Sequence, residues 1–231
     1  MAQSFQTILN RKKEQERPKA TYFSLPKSTE IKVRFLQELD PDSAYFEAER
    51  GSALYLVEHV SPHDFRRKAE CTYETEGRCL PCELNKIQPS IMIDNKQVNR
   101  PWAQRSNMYI YVVTEEVDEK GFNAVKVLQR PAPGNFFNQL LNFRDDEGDG
   151  SITEHAFKIS KGSNQNDGWN LSVALKSFDY KISELIDMET LVGRKIPYSE
   201  QASFYMVHSE SRDEDSDQSE TKSSLSQDVD W

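Results

Sequence analysis

This chain has no run of apolar residues approaching the about 20 that a membrane span needs, and nothing near Met1 has the about 7–15-residue apolar segment of a secretory leader. It is therefore expected in the cytoplasm, with no membrane partner. Cysteine is scarce, three in 231 residues, and an odd number in a reducing compartment is not a disulfide framework. Apolar residues are 36% of the sequence and charged residues 29%, against typical values of about 45–50% and about 25%. So there is more polar material than one packed core requires, although the length suffices for such a core. No internal repeat is visible. A net charge of −9 has the wrong sign for a protein that must neutralise a polyanion, provided the charge is evenly spread.

The charge is uneven. Residues 1–19 are locally +3, with Arg11, Lys12 and Lys13 at their centre, and 209–231 are −6. The intervening 20–208 are also −6. The last stretch is Ser, Asp, Glu and Gln with almost nothing apolar to offset its ordering entropy, so it is expected to be a disordered acidic tail. Its final residues, Asp228, Val229, Asp230 and Trp231, set an indole among carboxylates, a pattern suited to docking on a partner. The chain thus divides into a basic arm (1–20), a core (21–208) and a tail (209–231).

Within the core, IKVRFL (31–36) alternates apolar and basic residues, the period of a strand with one wet face. ALYLVEH (53–59), MYIYVVT (108–114), 124–129, AFKIS (156–160) and NLSVALK (170–176) also read as strands. Helices are expected at 4–17, at 135–143 behind Pro133-Gly134, and at 183–191 with Ser183 as cap. Short strands with one helix interposed predict a mainly β protein with a few short helices, an OB-type barrel carrying insertions.

The strongest chemical signal is His59, Cys71, Cys79 and Cys82. A Cys-x2-Cys turn points two thiolates at one ion, and a structural zinc takes four N or S ligands tetrahedrally. His63 is the alternative histidine, but His59 ends a predicted strand that fixes its position. A zinc subdomain is expected at about 59–90. Cys-Leu-Pro-Cys also resembles redox dithiols, which need a βαβ setting that is missing here. The sequence Asp145-x-Glu147-x-Asp149-Gly150 mimics a calcium loop, yet Ala156 stands where the bidentate Glu belongs.

From Lys86 to Val113 four bases, Lys86, Lys96, Arg100 and Arg105, meet a single acid, Asp94, and Trp102, Tyr109 and Tyr111 interleave with them. Single-strand binders use this mixture, stacking bases on rings while cations follow the phosphates. Tyr109 and Tyr111 share one strand face, serving either as a platform or as core. Trp102 is expected to be exposed in a loop. Arg66, Arg67, Lys126, Arg130, Lys158, Lys161 and Trp169 complete the candidate set.

In this order, IKVRFL, LYLVEH, Cys-x7-Cys-x2-Cys and a basic-aromatic stretch entering a hydrophobic strand, the chain resembles the single-stranded DNA-binding proteins of T-even bacteriophages and their relatives. The resemblance covers roughly residues 30–180. It implies an OB-fold with an inserted zinc subdomain held by His59, Cys71, Cys79 and Cys82, and no catalytic activity. It also implies sequence-independent coating of single strands in phage replication, recombination and repair inside a bacterial host. The basic arm would serve cooperative self-association, and the acidic tail would recruit replication proteins. The first cysteine loop is shorter than in the T-even members, Glu76 replaces an expected tyrosine, and Asn107-Met108 replaces an aromatic pair. A zinc-ribbon adaptor that binds only proteins is the alternative.

Overall fold

The computed structural model describes residues 12, 18–146, 150–163 and 168–206. Among them nine strands appear: β1 (Glu30–Phe35), β2 (Leu54–Val60), β3 (Lys68–Glu70), β4 (Ser90–Ile93), β5 (Lys96–Asn99), β6 (Arg105–Val117), β7 (Asn123–Pro131), β8 (Ala156–Lys161) and β9 (Trp169–Val173). Five helices accompany them among the described residues: α1 (Tyr73–Glu76), α2 (Leu80–Ile87), α3 (Asn135–Asp146), α4 (Met188–Val192) and α5 (Tyr198–Tyr205). The mainly β reading is borne out. The main sheet runs β3-β2-β6-β1-β8-β9, with β7 paired to β6. All of its pairings are antiparallel. Its path ends at β3 and β9, so among the described strands no closed barrel forms.

β6 organises the molecule. Its 13 residues pair with β2 near the start (Leu54↔Tyr109) and with β1 further along (Val33↔Thr114), while β7 lies along most of its length. Met108, Ile110 and Val112 enter one core with Val33, Phe35, Leu128, Phe157 and Ile159, which α3 covers through Phe136 and Leu140. Tyr109, Tyr111 and Val113 enter a second core with Leu36, Leu56, Val127 and α4. An unbroken apolar run is what a strand buried on both faces requires, because alternate residues serve opposite cores. β1 shows the simpler pattern, with Val33 and Phe35 fully buried.

Two expected elements shift. The helix predicted at 183–191 begins only at Met188, because the Asp187 carboxylate, not Ser183, accepts the Thr190 amide at 2.8 Å and its hydroxyl at 2.9 Å. Before it, Ile182 and Leu185 pack on the second core as non-helical chain. β9 stops at Val173, and Leu175 is fully exposed. The helix expected at 4–17, the tail 209–231 and positions 147–149 of the calcium-like loop lie outside the described residues, Lys12 excepted.

Candidate metal centre and the surface beside it

The four candidate metal ligands come from three local structures. His59 sits near the end of β2 and is completely buried. Cys71 follows β3, its amide donating to the Val57 carbonyl at 2.8 Å, which ties it to β2. Cys79 caps the N-terminus of α2, and Cys82 is the third residue of that helix. Pro81 in the first turn is compatible with a helix start, where its missing N–H costs nothing. The four ligand atoms all lie within 4.8 Å of one another. Cys82 Sγ is 3.3 Å from His59 Nε2 and 3.7 Å from Cys71 Sγ. Tetrahedral zinc with Zn–S near 2.3 Å would hold its sulfurs about 3.8 Å apart, so the donor set fits such an ion. His63 is an exposed loop residue outside this cluster.

The surroundings prepare the ligands. His59 Nδ1 is 2.9 Å from the Trp102 carbonyl. A carbonyl only accepts, so Nδ1 carries the proton and Nε2 keeps its lone pair toward the sulfurs. Burial lowers the His59 pKa below its ordinary 6.5, keeping the ring neutral. Burial, then neighbouring thiols, pushes Cys82 up to about 12, and burial raises Cys79. These thiols therefore need a cation before they ionise at neutral pH. The Gln104 amide donates to Cys71 Sγ at 3.2 Å and to Cys82 Sγ at 3.4 Å, which suits a cluster carrying excess thiolate charge.

Sequence reasoning missed how the C-terminal segment closes the knuckle, the segment of about 59–90 that carries the four candidate ligands. Gln201, 1% exposed, donates to Thr72 Oγ1 and the Ile196 carbonyl and accepts the Leu80 amide at 2.8 Å. Tyr205 joins Trp102, Ala69 and Leu84 in a third small core. Tyr198 donates to Glu83 at 2.6 Å and lies under the Arg78 guanidinium, 3.4 Å from the ring centroid. Also unforeseen was the β4–β5 hairpin, whose turn residues Asp94 and Asn95 both take positive φ, 49° and 62°. Short Asx side chains tolerate that conformation.

The candidate strand-binding residues separate by type. Arg66, Lys86, Lys96, Arg100 and Arg105 are exposed on or beside the knuckle. Arg100 is held at φ 48°, and Arg66 stacks over Phe65 with its guanidinium 5.7 Å from the ring centroid. Arg67 is half-buried, donating to the Phe204 carbonyl. Lys126 pairs with Glu116 and Lys158 with Glu30, Lys161 is 6% exposed, and Arg130 lies 4.3 Å from the Trp169 ring centroid.

The aromatic residues are inside. Trp102, expected to be exposed, is 2% exposed; its ring packs edge-on against Tyr205 in the knuckle core. Tyr109 is fully buried, donating to Glu58 while Lys68 donates to it. Burial and the Glu58 charge raise its pKa. Tyr111, 5% exposed, donates to the Ile186 carbonyl, and Trp169 at 9% belongs to the first core. In this conformation none of the four offers an open ring face to a base. The exposed aromatic side chains are others, among them Tyr55, Phe65 and Tyr73.

Among the described residues, no helix is long and apolar enough to cross a membrane. Comparison with protein-family models, with curated proteins and with solved structures finds no match to this chain.

Proposed function

We propose that this protein binds single-stranded DNA without sequence preference and without catalysis, coating exposed strands during phage replication, recombination and repair. In this reading the sheet is an OB-type core, and zinc at His59, Cys71, Cys79 and Cys82 cross-links the knuckle to it. The basic arm, with Arg11, Lys12 and Lys13, would support self-association along the strand. The acidic tail ending in Trp231 would meet replication proteins.

The observation that carries the reading is the convergence of those four residues, separated by up to 23 positions in sequence, to within 4.8 Å beside the exposed Arg66, Lys86, Lys96, Arg100 and Arg105. It is the set the sequence resemblance assigns to zinc. Residues 60–105 hold eight cations against six acids, while the rest of 20–208 is −8. The acidity of the core thus leaves this part of the chain positive, as a phosphate-binding region requires.

Titration of the full chain with oligo(dT), with duplex DNA as competitor and salt as variable, tests the proposal. Preferential binding of the single strand is expected, with a log-log salt slope of about −0.7 per neutralised phosphate. Absence of binding at low salt would refute it and favour the protein-only adaptor.

A further inference from the structure

On the proposed reading, a strand needs an open aromatic face, and the four buried rings do not supply one. The residue alternation of β2 points to another. Tyr55, Val57 and His59 share one face of that strand, and the first two are 44% and 40% exposed while Leu56 and Glu58 between them are buried. Pairing extends this face across the sheet. Tyr55 stands opposite Met108 of β6, which stands opposite Arg130 of β7, and Val57 stands opposite Ser106. Just before β6 comes Gln104, which reaches the metal-ligand sulfurs.

The Tyr55 ring is fixed. Its hydroxyl donates to the Leu39 carbonyl at 2.9 Å, and its ring packs T-shaped with Phe137, centroids 5.9 Å apart at 80°. A tethered ring with an open side loses little freedom when a flat partner stacks on it. Two strands across, on β7, the Arg130 guanidinium is held over Trp169 at 4.3 Å. Asp40, whose charge acts on the Tyr55 hydroxyl, is bound by Arg144 at 3.2 Å. The row therefore offers a ring and, beyond the buried Met108, a guanidinium, with the exposed Ser106 and Gln104 next to it.

We propose that Tyr55 is the base-stacking residue of this protein, with Val57 beside it as an apolar contact and Arg130, two strands across, meeting a phosphate further along the bound strand. This rests on single-strand binding as proposed above and adds the place and the ring. An apolar protein partner would fit Tyr55 and Val57 but not the exposed hydroxyl of Ser106 or the positive charge of Arg130. A single strand, with flat rings, polar edges and anionic links, meets all of them.

The experiment compares oligo(dT) affinity of the full chain with that of Tyr55→Phe and Tyr55→Leu. Phe keeps the ring and should bind within about twofold of wild type. Leu keeps an apolar contact on Phe137, so that the fold is preserved, but removes the stacking face, and should bind about 5- to 150-fold more weakly. Photocross-linking of unmodified protein to an oligo(dT) containing 5-iododeoxyuridine needs no variant and should yield the peptide bearing Tyr55. Wild-type binding with Tyr55→Leu unchanged, or cross-links confined to other peptides, overturns this assignment alone. Failure of wild type to bind overturns the proposed function and this inference together.

Discussion

Replacing Gln201 by alanine removes the side chain that fastens α5 to the metal knuckle from within. Its oxygen accepts the amide of Leu80, the first residue of α2, lying between Cys79 and Cys82. Its nitrogen donates to Thr72 Oγ1 at 2.9 Å and to the Ile196 carbonyl at 3.0 Å. The Leu80 amide is one of the donors that a helix start leaves without an internal acceptor. With Gln201 1% exposed, water does not replace it without opening the knuckle. Stranding that amide costs about 1–3 kcal/mol, and weakening the other two contacts adds about 1, for about 2–4 kcal/mol. Thr72 loses least, since its hydroxyl still donates to the Arg78 carbonyl at 2.7 Å. Because Leu80 lies within the Cys-x2-Cys turn, metal retention against a competing chelator should fall about 10- to 100-fold, as for other groups that orient metal ligands. Urea unfolding and chelator competition measure the two effects, with Gln201→Met as a control that keeps the volume. A loss below about 0.5 kcal/mol, the range of an ordinary surface substitution, with metal retention unchanged, would refute the argument that α5 belongs to the metal module.

Metal loading should release protons. Cys79 and Cys82 are both held above the ordinary thiol range, so at neutral pH each gives up a proton on ligation, and apparent affinity should rise at least about 100-fold per pH unit from these two groups alone. Calorimetry in buffers of different ionisation enthalpy counts those protons, and a count near zero would contradict the ligand assignment. For metal-free protein the sign is opposite: the folded Cys82 thiol keeps its proton beyond the ordinary 9.0, so stability is intact below that value and declines as pH rises toward about 12. Asp187→Ala should cost about 0.5–2 kcal/mol by removing the cap of α4. That cap lowers the Asp187 pKa below 3.8, so its contribution is present above the ordinary value and disappears as pH falls through the lower folded one. Acid titrations of the unfolding midpoint for wild type and variant should converge at low pH.

What was legible in the sequence was whatever depends on local pattern. The alternation of β1, the aromatic and β-branched run of β6, the Pro-Gly entry to α3 and the four-ligand spacing all translate directly into structure. Burial on the second face of β6 was not legible, because one tyrosine on a strand face looks the same whether solvent or α4 lies above it. Tyr111 is closed off by residues 186–192, some 75 positions away in sequence. Trp102 misled for the same reason: the loop that carries it is covered by Tyr205, far along the chain. The cue for Tyr55 was present, since it shares the phase of His59, but its significance required knowing that β6 places Ser106 rather than a bulky group beside Val57.

The structure also bears on why a core of net −6 need not repel a polyanion. β6 is 13 residues long, about 40 Å at roughly 3.4 Å per residue. Arg105 stands at its first position and Arg100 five residues before it, whereas Glu115, Glu116, Asp118 and Glu119 cluster at and beyond its other end. Lys32 and Lys126 already bind Glu115 and Glu116 there, at 2.8 and 2.6 Å. At physiological salt the screening length is about 8 Å, so charges separated by the length of β6 act independently. A phosphate approaching the knuckle end therefore responds to the exposed arginines and lysines near it, not to the sum over the chain. Exchanging Arg100 and Arg105 for glutamine should then weaken oligo(dT) binding and reduce its salt dependence, while the same exchange at Lys32 and Lys126 should leave both unchanged. Equal losses from the two pairs would mean that net charge, not its placement, governs the interaction.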